Sequence, residues 1–170
     1  MKLRLLSQLL DRDTEQSKAM AVELQADAAD ALEQLRDLAR GIYPPLLADR
    51  GLAAAVEAQA RKASVPTGVR SDGIGRYPQD TEAAVYFCVL EALNNVAKYS
   101  GATRAEVSFS QADGHLRFAV TDDGVGFDTG ETTYGTGLQG MADRLDAIGG
   151  ALRVVSQPGE GTTVEGQVLV

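Results

Sequence analysis

The sequence predicts an α/β fold, a two-layer α/β sandwich in which helices cover one face of a sheet. Runs in which apolar residues alternate with polar ones, at 103–109 and 115–121, are typical of half-buried strands. They flank Ala112-Asp113-Gly114, a hairpin signal. The stretch 80–99 instead repeats apolar residues every three or four positions, as an amphipathic helix does. Strands grouped with such helices pack as two layers.

The first helix is predicted by a heptad pattern within residues 15–42. Its apolar residues are spaced alternately three and four apart: Ala21, Leu24, Ala28, Ala31, Leu35, Leu38 and Ile42. Such a seam packs in a bundle or coiled coil, with docking on the chain's own domain as the alternative. Tyr43-Pro44-Pro45 ends the helix, because proline cannot continue it. We therefore predict a helical region at 1–42 and a separate α/β domain at 43–170.

The elements of the second domain follow from the same patterns. Pro66 suggests that the strand around it lies at a sheet edge. The glycine pair Gly149-Gly150 ends the predicted helix that directly precedes the pair. In chain order we predict a helix at 51–63, a strand at 65–69, the helix at 80–99, the hairpin 103–121, a glycine-bounded lid at about 123–136, a helix at 137–148 and a last hairpin formed by 152–156 and 162–170.

Two glycine motifs are the most informative stretches. Asp122-Asp123-Gly124-Val125-Gly126 follows a predicted strand, so a carboxylate and a backbone that can approach a ligand closely lie at the strand end. That carboxylate can accept hydrogen bonds, for example from an exocyclic amine. Gly135-Thr136-Gly137-Leu138 precedes a predicted helix, whose N-terminal N–H groups favour an anion. Each motif alone is also typical of an ordinary turn; together they indicate a nucleotide site.

A third motif lies on the helix at 80–99. Glu91, Asn95 and Lys98 are spaced four and three apart, so they project from one helix face. Carboxylate, amide and ammonium groups suit phosphates and a hydrated divalent cation, since Mg²⁺ prefers oxygen ligands and keeps several waters. The alternative is a solvated helix edge with a polar pair.

In this order the three motifs resemble those of the GHKL ATPases with the Bergerat fold. Glu91-x-x-x-Asn95 is similar to their N box, Asp122-x-Gly124-x-Gly126 to the G1 box and Gly135-x-Gly137-Leu138 to the G2 box. The segment 35–47 is similar to the linker between dimerisation helices and ATP-binding domain in sensor histidine kinases that pair with NarL-type response regulators. The resemblance covers about residues 30–170. Tyr99 departs from it, because this class often has histidine there.

The resemblance implies the ATP-binding catalytic domain of a sensor histidine kinase, attached to part of a dimerisation region. It would use ATP and Mg²⁺ and transfer the γ-phosphoryl group to a histidine outside this chain, for relay to a response regulator of NarL type. The full-length protein would be a homodimer. By resemblance, Asn95 holds Mg²⁺ and Glu91 is the candidate base or the group that orients water. The phosphates are faced by Lys98 and Tyr99 and closed over by Gly135, Gly137 and Leu138. Asp122 reads the adenine amino group, Gly124 and Gly126 let the base approach, and Thr162 reaches adenine through water.

The amino-acid composition argues against several classes of binding partner and of catalytic chemistry. The net charge of −8 argues against nucleic acid or an anionic membrane. No apolar run approaches the roughly 18 residues that span a bilayer, so we expect a cytoplasmic chain, although the parent protein could be anchored in a membrane. One histidine and one cysteine are too few for zinc or triad chemistry. Cys88 lies on the apolar stripe of its helix, so we expect it to be buried and inert.

His115, the only histidine, falls on the predicted hairpin rather than on a helix. Because kinases of this class carry the acceptor histidine on the first dimerisation helix, we expect this chain to start after the acceptor or to have lost it. The isolated chain is therefore predicted not to phosphorylate itself. Two other functions stay open: a GHKL serine kinase of the anti-sigma type, and a degenerate module that binds nucleotide or a partner without transferring phosphate.

Overall fold

The computed structural model describes residues 43–130 and 135–170. The chain divides after Ile42, and the compact unit Tyr43–Val170 contains all the described residues. The predicted heptad helix, most of the linker at 35–47 and part of the predicted lid lie outside them. The helical region at 1–42 therefore stays a prediction.

The described residues form three α-helices, one π-helix and five strands. The helices are α1 (Pro45–Ala60), α2 (Gln79–Asn95) and α3 (Thr136–Asp146), and a π-helix (Val96–Ser100) continues directly from α2. The strands are β1 (Thr67–Asp72), β2 (Ala105–Ala112), β3 (His115–Asp122), β4 (Ala151–Ser156) and β5 (Thr162–Leu169).

The five strands form one mixed sheet in the order β1-β2-β3-β5-β4. β1 runs parallel to β2, and the other neighbouring pairs are antiparallel. The predicted α/β sandwich is confirmed, and β1 lies at the sheet edge as Pro66 suggested. Asp122, the last residue of β3, pairs with Thr162, the first residue of β5. This register brings two predicted site residues together across neighbouring strands.

The core lies between α1, α2, α3 and one face of the sheet. α2 contributes residues spaced three or four apart, among them Val85, Cys88, Val89 and Ala92. The strands contribute alternate residues, including Val107 and Phe118. Cys88 is fully buried, as expected, with its Sγ 3.7 Å from the carbonyl oxygen of Met141.

Several element boundaries differ from the predicted ones. α1 begins at Pro45, because proline is favoured in the first turn of a helix, and it is interrupted at Gly51, whose φ is +77°. β1 covers Thr67–Asp72 instead of 65–69. α2 stops at Asn95, where the prediction continued an α-helix to residue 99. Among the described helices, none is long and apolar enough to cross a membrane.

Candidate functional site

The first part of the site is the turn that follows β3. The carboxylate of Asp122 is buried and accepts the backbone N–H of Gly124 at 2.9 Å. Burial raises the pKa of Asp122, while the N–H groups of Gly124 and Thr162 lower it and the charge of Asp123 raises it. The net shift is upward. A buried acceptor at a strand end, held by backbone donors, suits recognition of a donor group on a ligand.

The end of the π-helix docks on this turn. A Cβ on Gly124 would lie 2.4 Å from the carbonyl oxygen of Ser100, so only glycine fits there. The same carbonyl accepts the N–H of Val125 at 2.8 Å. Ser100 is itself buried, and its Oγ donates to the carbonyl of Val96 at 2.7 Å. The structure therefore brings the segment that carries Asn95 directly against the first glycine motif. π-helical turns are rare and occur frequently at functional sites.

Asp123 fastens the same turn to the loop before β2. Its Oδ1 accepts the N–H groups of Thr103 at 2.8 Å and Arg104 at 3.0 Å, and its Oδ2 accepts the hydroxyl of Thr103 at 2.7 Å. These bonds hold the pKa of Asp123 below its ordinary value. Sequence reasoning gave Asp123 no role. Its place beside Asp122 was visible, but its partners about twenty residues earlier were not.

The second glycine of the turn packs against the loop between β4 and β5. Gly126 has a φ of +60°, which favours glycine, and a Cβ there would lie 2.0 Å from the carbonyl oxygen of Gln157. One residue earlier, the carbonyl of Val125 accepts the N–H of Gly159 at 2.6 Å. Gly161 also packs on this turn, since its Cβ would lie 2.1 Å from the carbonyl oxygen of Asp122. Backbone thus packs on backbone on both sides of the turn.

Ser156, at the end of β4, was missed by the sequence analysis. Its buried Oγ lies 2.9 Å from the carbonyl oxygen of Gly161, 2.9 Å from the N of Phe127 and 2.9 Å from the Oγ1 of Thr162. One hydroxyl therefore joins the turn after β3, the loop after β4 and a predicted site residue. The only signal in the sequence was a serine closing a strand just before the turn that leads to Thr162.

The second glycine motif meets the helix motif. A Cβ on Gly137 would lie 2.8 Å from Oε1 of Glu91, so the carboxylate of α2 lies against the first turn of α3. α3 is further held to α2 by Arg144, whose guanidinium stacks over the ring of Phe87 at 5.4 Å. The structure thus places the helix segment 91–100 against both glycine motifs, although eight residues of the chain separate them.

The remaining predicted residues occupy the rim of this region. Asn95 is half-buried at the junction of α2 with the π-helix, and Lys98 and Tyr99 are exposed on that π-helix. Gly135 is the exposed residue preceding α3. Leu138 is half-buried and packs against the core, so it also has a structural reason to be apolar. The binding roles of these residues stay predictions.

The donor set fits a magnesium ion that a nucleotide brings with it. No group of three or more histidine, cysteine, aspartate or glutamate side chains forms a metal cluster in 43–130 and 135–170. Glu91 and Asn95 offer oxygen atoms one helical turn apart. Because Mg²⁺ commonly takes one or two protein oxygens, waters and substrate phosphates, these two residues suit it only in the presence of nucleotide.

His115 is remote from these residues. It opens β3, at the opposite end from Asp122, and its Nδ1 lies 2.9 Å from the carbonyl oxygen of Asp113 in the hairpin. Asp122 lies seven residue steps further along the strand, a distance of about 23 Å at roughly 3.3 Å per residue. The predicted hairpin position is confirmed.

A separate concavity of about 430 Å³ lies on the sheet, lined in part by Ser108, Arg117, Arg153 and Glu165. Ser108 alternates along β2 with the buried Val107 and Phe109, so it faces away from the helices. The concavity contains none of the predicted site residues and plays no part in the site.

Comparison with known proteins identifies the family of the chain. Residues 80–169 match the family described as histidine kinase-, DNA gyrase B-, and HSP90-like ATPase. The chain is 30% identical to the oxygen sensor histidine kinase NreB of Staphylococcus carnosus (strain TM300), over 99% of this chain and 50% of that protein. It is 29% identical to the signal transduction histidine-protein kinase/phosphatase DegS of Brevibacillus brevis, over 79% of this chain and 40% of that protein. The chain thus spans half or less of the length of these curated relatives.

A solved structure shows the same fold. The histidine kinase domain from the Erythrobacter litoralis EL346 blue-light activated histidine kinase superposes with a TM-score of 0.56 at 22% identity. The match covers 71% of this chain and 58% of that one.

Proposed function

The chain belongs to the family of histidine kinase-, DNA gyrase B- and HSP90-like ATPases, and we propose that it is the ATP-binding catalytic part of a two-component sensor histidine kinase. In this proposal it binds Mg-ATP and transfers the γ-phosphoryl group to a histidine on another segment of the parent kinase. Phosphoryl transfer depends mainly on positioning and charge neutralisation, which is what the arrangement of helix and glycine motifs can provide.

One observation carries the proposal. Gly124 and Gly137 each pack against the segment 91–100 so closely that a Cβ would meet it, at Ser100 and at Glu91 respectively. A base-reading carboxylate, Asp122, and a metal-binding amide, Asn95, are thereby carried by two segments in direct contact. This contact supports a single nucleotide site better than it supports two independent turns.

Calorimetric titration of the chain with Mg-ATP and Mg-GTP tests the nucleotide assignment. We expect ATP to bind and GTP to bind poorly, because guanine has a carbonyl where adenine has its amine. Asp122→Asn should weaken ATP binding by about 1–3 kcal/mol, since it replaces a charged acceptor by a mixed group. Equal affinities of the wild-type chain for ATP and GTP would contradict the role of Asp122.

The metal assignment is tested by repeating the titration with and without Mg²⁺. Asn95→Ala should remove most of the tightening that Mg²⁺ gives to ATP and leave metal-free ADP binding unchanged. Glu91→Gln should leave binding largely intact and slow transfer, as expected of a group that acts mainly in the transition state. Mg-ATP binding by Asn95→Ala equal to wild type would exclude this helix face from the site.

Transfer is tested with labelled ATP and a separate helix fragment that carries the acceptor histidine. The bare chain should bind ATP without forming acid-labile, base-stable phosphohistidine, because His115 lies about 23 Å along β3 from Asp122, at roughly 3.3 Å per residue. Addition of the fragment should restore labelling. Labelling of the bare chain that disappears in His115→Ala would overturn the proposal, and labelling of serine would favour the anti-sigma type.

The partners follow from the same proposal. We infer a homodimer in the full-length protein, formed through the heptad seam, and a response regulator of NarL type as the final acceptor. The similarity of residues 35–47 to the linker of that kinase class supports both inferences. A cytoplasmic site of action agrees with ATP as the phosphoryl donor.

A further inference from the structure

Ser156 occupies a position that can fix the direction of a neighbouring hydroxyl proton. Its Oγ makes three contacts of 2.9 Å, to the carbonyl oxygen of Gly161, the N of Phe127 and the Oγ1 of Thr162. Ser156 is buried, so water competes little for these contacts.

The proton count of Ser156 has one solution. A serine hydroxyl has one proton to donate and two lone pairs to accept with. The carbonyl of Gly161 can only accept, so it takes the proton of Ser156. The N–H of Phe127 can only donate, so it takes one lone pair. The remaining lone pair faces Thr162, whose hydroxyl must therefore donate to Ser156.

This arrangement leaves Thr162 with lone pairs alone to offer to a ligand. Thr162 is the cross-strand partner of Asp122, whose carboxylate is also an acceptor. The end of β3 and the start of β5 thus present two neighbouring hydrogen-bond acceptors, and neither Asp122 nor Thr162 offers a side-chain donor. Two acceptors in direct contact with the base favour an amine and disfavour a carbonyl at the same position, because a carbonyl has no proton to donate.

We propose that Ser156 is a specificity-determining positioning residue, which makes the nucleotide site selective for a 6-amino purine by holding the Thr162 hydroxyl as an acceptor. The inference rests on the proposed function, and it places Asp122 and Thr162 both in direct contact with the exocyclic amine, in place of the water-mediated contact that the resemblance implies for Thr162. Ser156 acts through Thr162 and does not itself contact the nucleotide.

The test compares ADP with inosine diphosphate, which differs by a carbonyl and a ring N–H in place of the amine and bare ring nitrogen. Calorimetry of the full chain measures both affinities under identical conditions. Wild type should prefer ADP. Ser156→Ala frees the Thr162 proton, so affinity for inosine diphosphate should rise while affinity for ADP falls, and the preference should shrink about three- to tenfold.

A merely structural role of Ser156 would weaken both nucleotides equally and leave the preference unchanged, and that result would overturn the inference. Thr162→Val removes the hydroxyl while keeping the size of the side chain and the bonds of Ser156 to Phe127 and Gly161. It should itself reduce the preference, and adding Ser156→Ala to it should reduce the preference no further. If Ser156→Ala does not fold, an unchanged preference in Thr162→Val still overturns the inference.

The wild-type titration separates this inference from the proposed function. Failure of wild type to bind ADP, or equal binding of ADP and inosine diphosphate, would contradict the nucleotide assignment itself. A clear wild-type preference that survives in both Ser156→Ala and Thr162→Val would leave the nucleotide site in place and remove only Ser156 from its selectivity.

Discussion

Glu82 is a buried carboxylate whose replacement should destabilise the domain far more than its place in the sequence suggests. It lies in the first turn of α2, is fully buried, and accepts four hydrogen bonds. Tyr43 Oη donates at 2.8 Å, Arg76 Nε at 2.8 Å and Nη2 at 3.2 Å, and the N–H of Tyr77 at 3.1 Å. Burial raises the pKa of Glu82, but the bonds from Arg76, Tyr43 and Tyr77 outweigh it and hold the pKa below its usual value near 4.5.

The magnitude for Glu82→Gln follows from these bonds. The glutamine oxygen can keep the partners of Oε1, but its amide group then faces the guanidinium of Arg76, another donor. Charge-assisted bonds contribute about 1.5–3 kcal/mol and neutral ones about 0.5–1.5 kcal/mol. Because the side chain of Arg76 is 53% exposed, solvent screens part of this difference. We expect Glu82→Gln to lower the free energy of unfolding by about 2–3 kcal/mol.

Urea unfolding followed by circular dichroism measures this loss, with Glu57→Gln as the matched control. Glu57, on α1, makes an exposed i,i+4 pair at 3.9 Å with Arg61, the residue that follows the helix, and losing the pair should cost at most about 0.5 kcal/mol. Because the pKa of Glu82 is lowered on folding, the stability advantage of wild type over Glu82→Gln depends on pH. The advantage is present above the pKa of Glu82 in the unfolded chain and disappears as pH falls through its pKa in the folded protein. If Glu82→Gln lowered the free energy of unfolding by no more than Glu57→Gln does, the reasoning would be refuted.

Three further predictions concern single positions. Gly126→Ala should destabilise the domain by about 3 kcal/mol or more, whereas Gly159→Ala, also at positive φ but in open space, should cost only about 1–2 kcal/mol by the same unfolding assay. Gly140→Ala, in α3 with open space around it, should stabilise by about 0.5–1 kcal/mol; a loss would contradict the helix assignment. Because the pKa of Asp122 is raised on folding, its contribution to stability is present at acidic pH and is lost as pH rises through the pKa of the folded state. The variant Asp122→Asn should therefore gain stability relative to wild type as pH rises, and thermal unfolding at several pH values measures this gain.

The sequence predicted those parts of the site that depend on local pattern. Asp122, Gly124 and Gly126 follow an alternating run, so their place at a strand end could be predicted, and the structure shows the turn there. The same holds for Gly137, which begins α3. Some positions require glycine because another segment of the chain approaches closely. The sequence shows the glycine at such a position but does not show which segment requires it. The sequence shows that Gly124 has no side chain, but not that Ser100 is the reason.

The parts that escaped prediction depend on partners distant in the chain. Glu82 occupies the first turn of a helix, where an acidic residue is favoured by the helix dipole and ordinarily faces water. Its burial becomes necessary only once Tyr43, thirty-nine residues earlier, and Arg76 are folded around it. The π-helix at Val96–Ser100 escaped for a related reason, because its apolar pattern continues that of α2. No periodicity in one segment encodes such contacts.

The two halves of the candidate site differ in how far the fold fixes them. Asp122 and Thr162, which we assign to the base, are held by backbone N–H groups, by strand pairing and by the buried hydroxyl of Ser156. Tyr99, which we assign to the phosphates, is 74% exposed on the π-helix. Ordering an exposed side chain on binding costs entropy, whereas a preorganised pair of acceptors has already lost it on folding. Selectivity for the base should therefore be a property of the folded domain itself, and the phosphate contacts should form with the nucleotide and its metal.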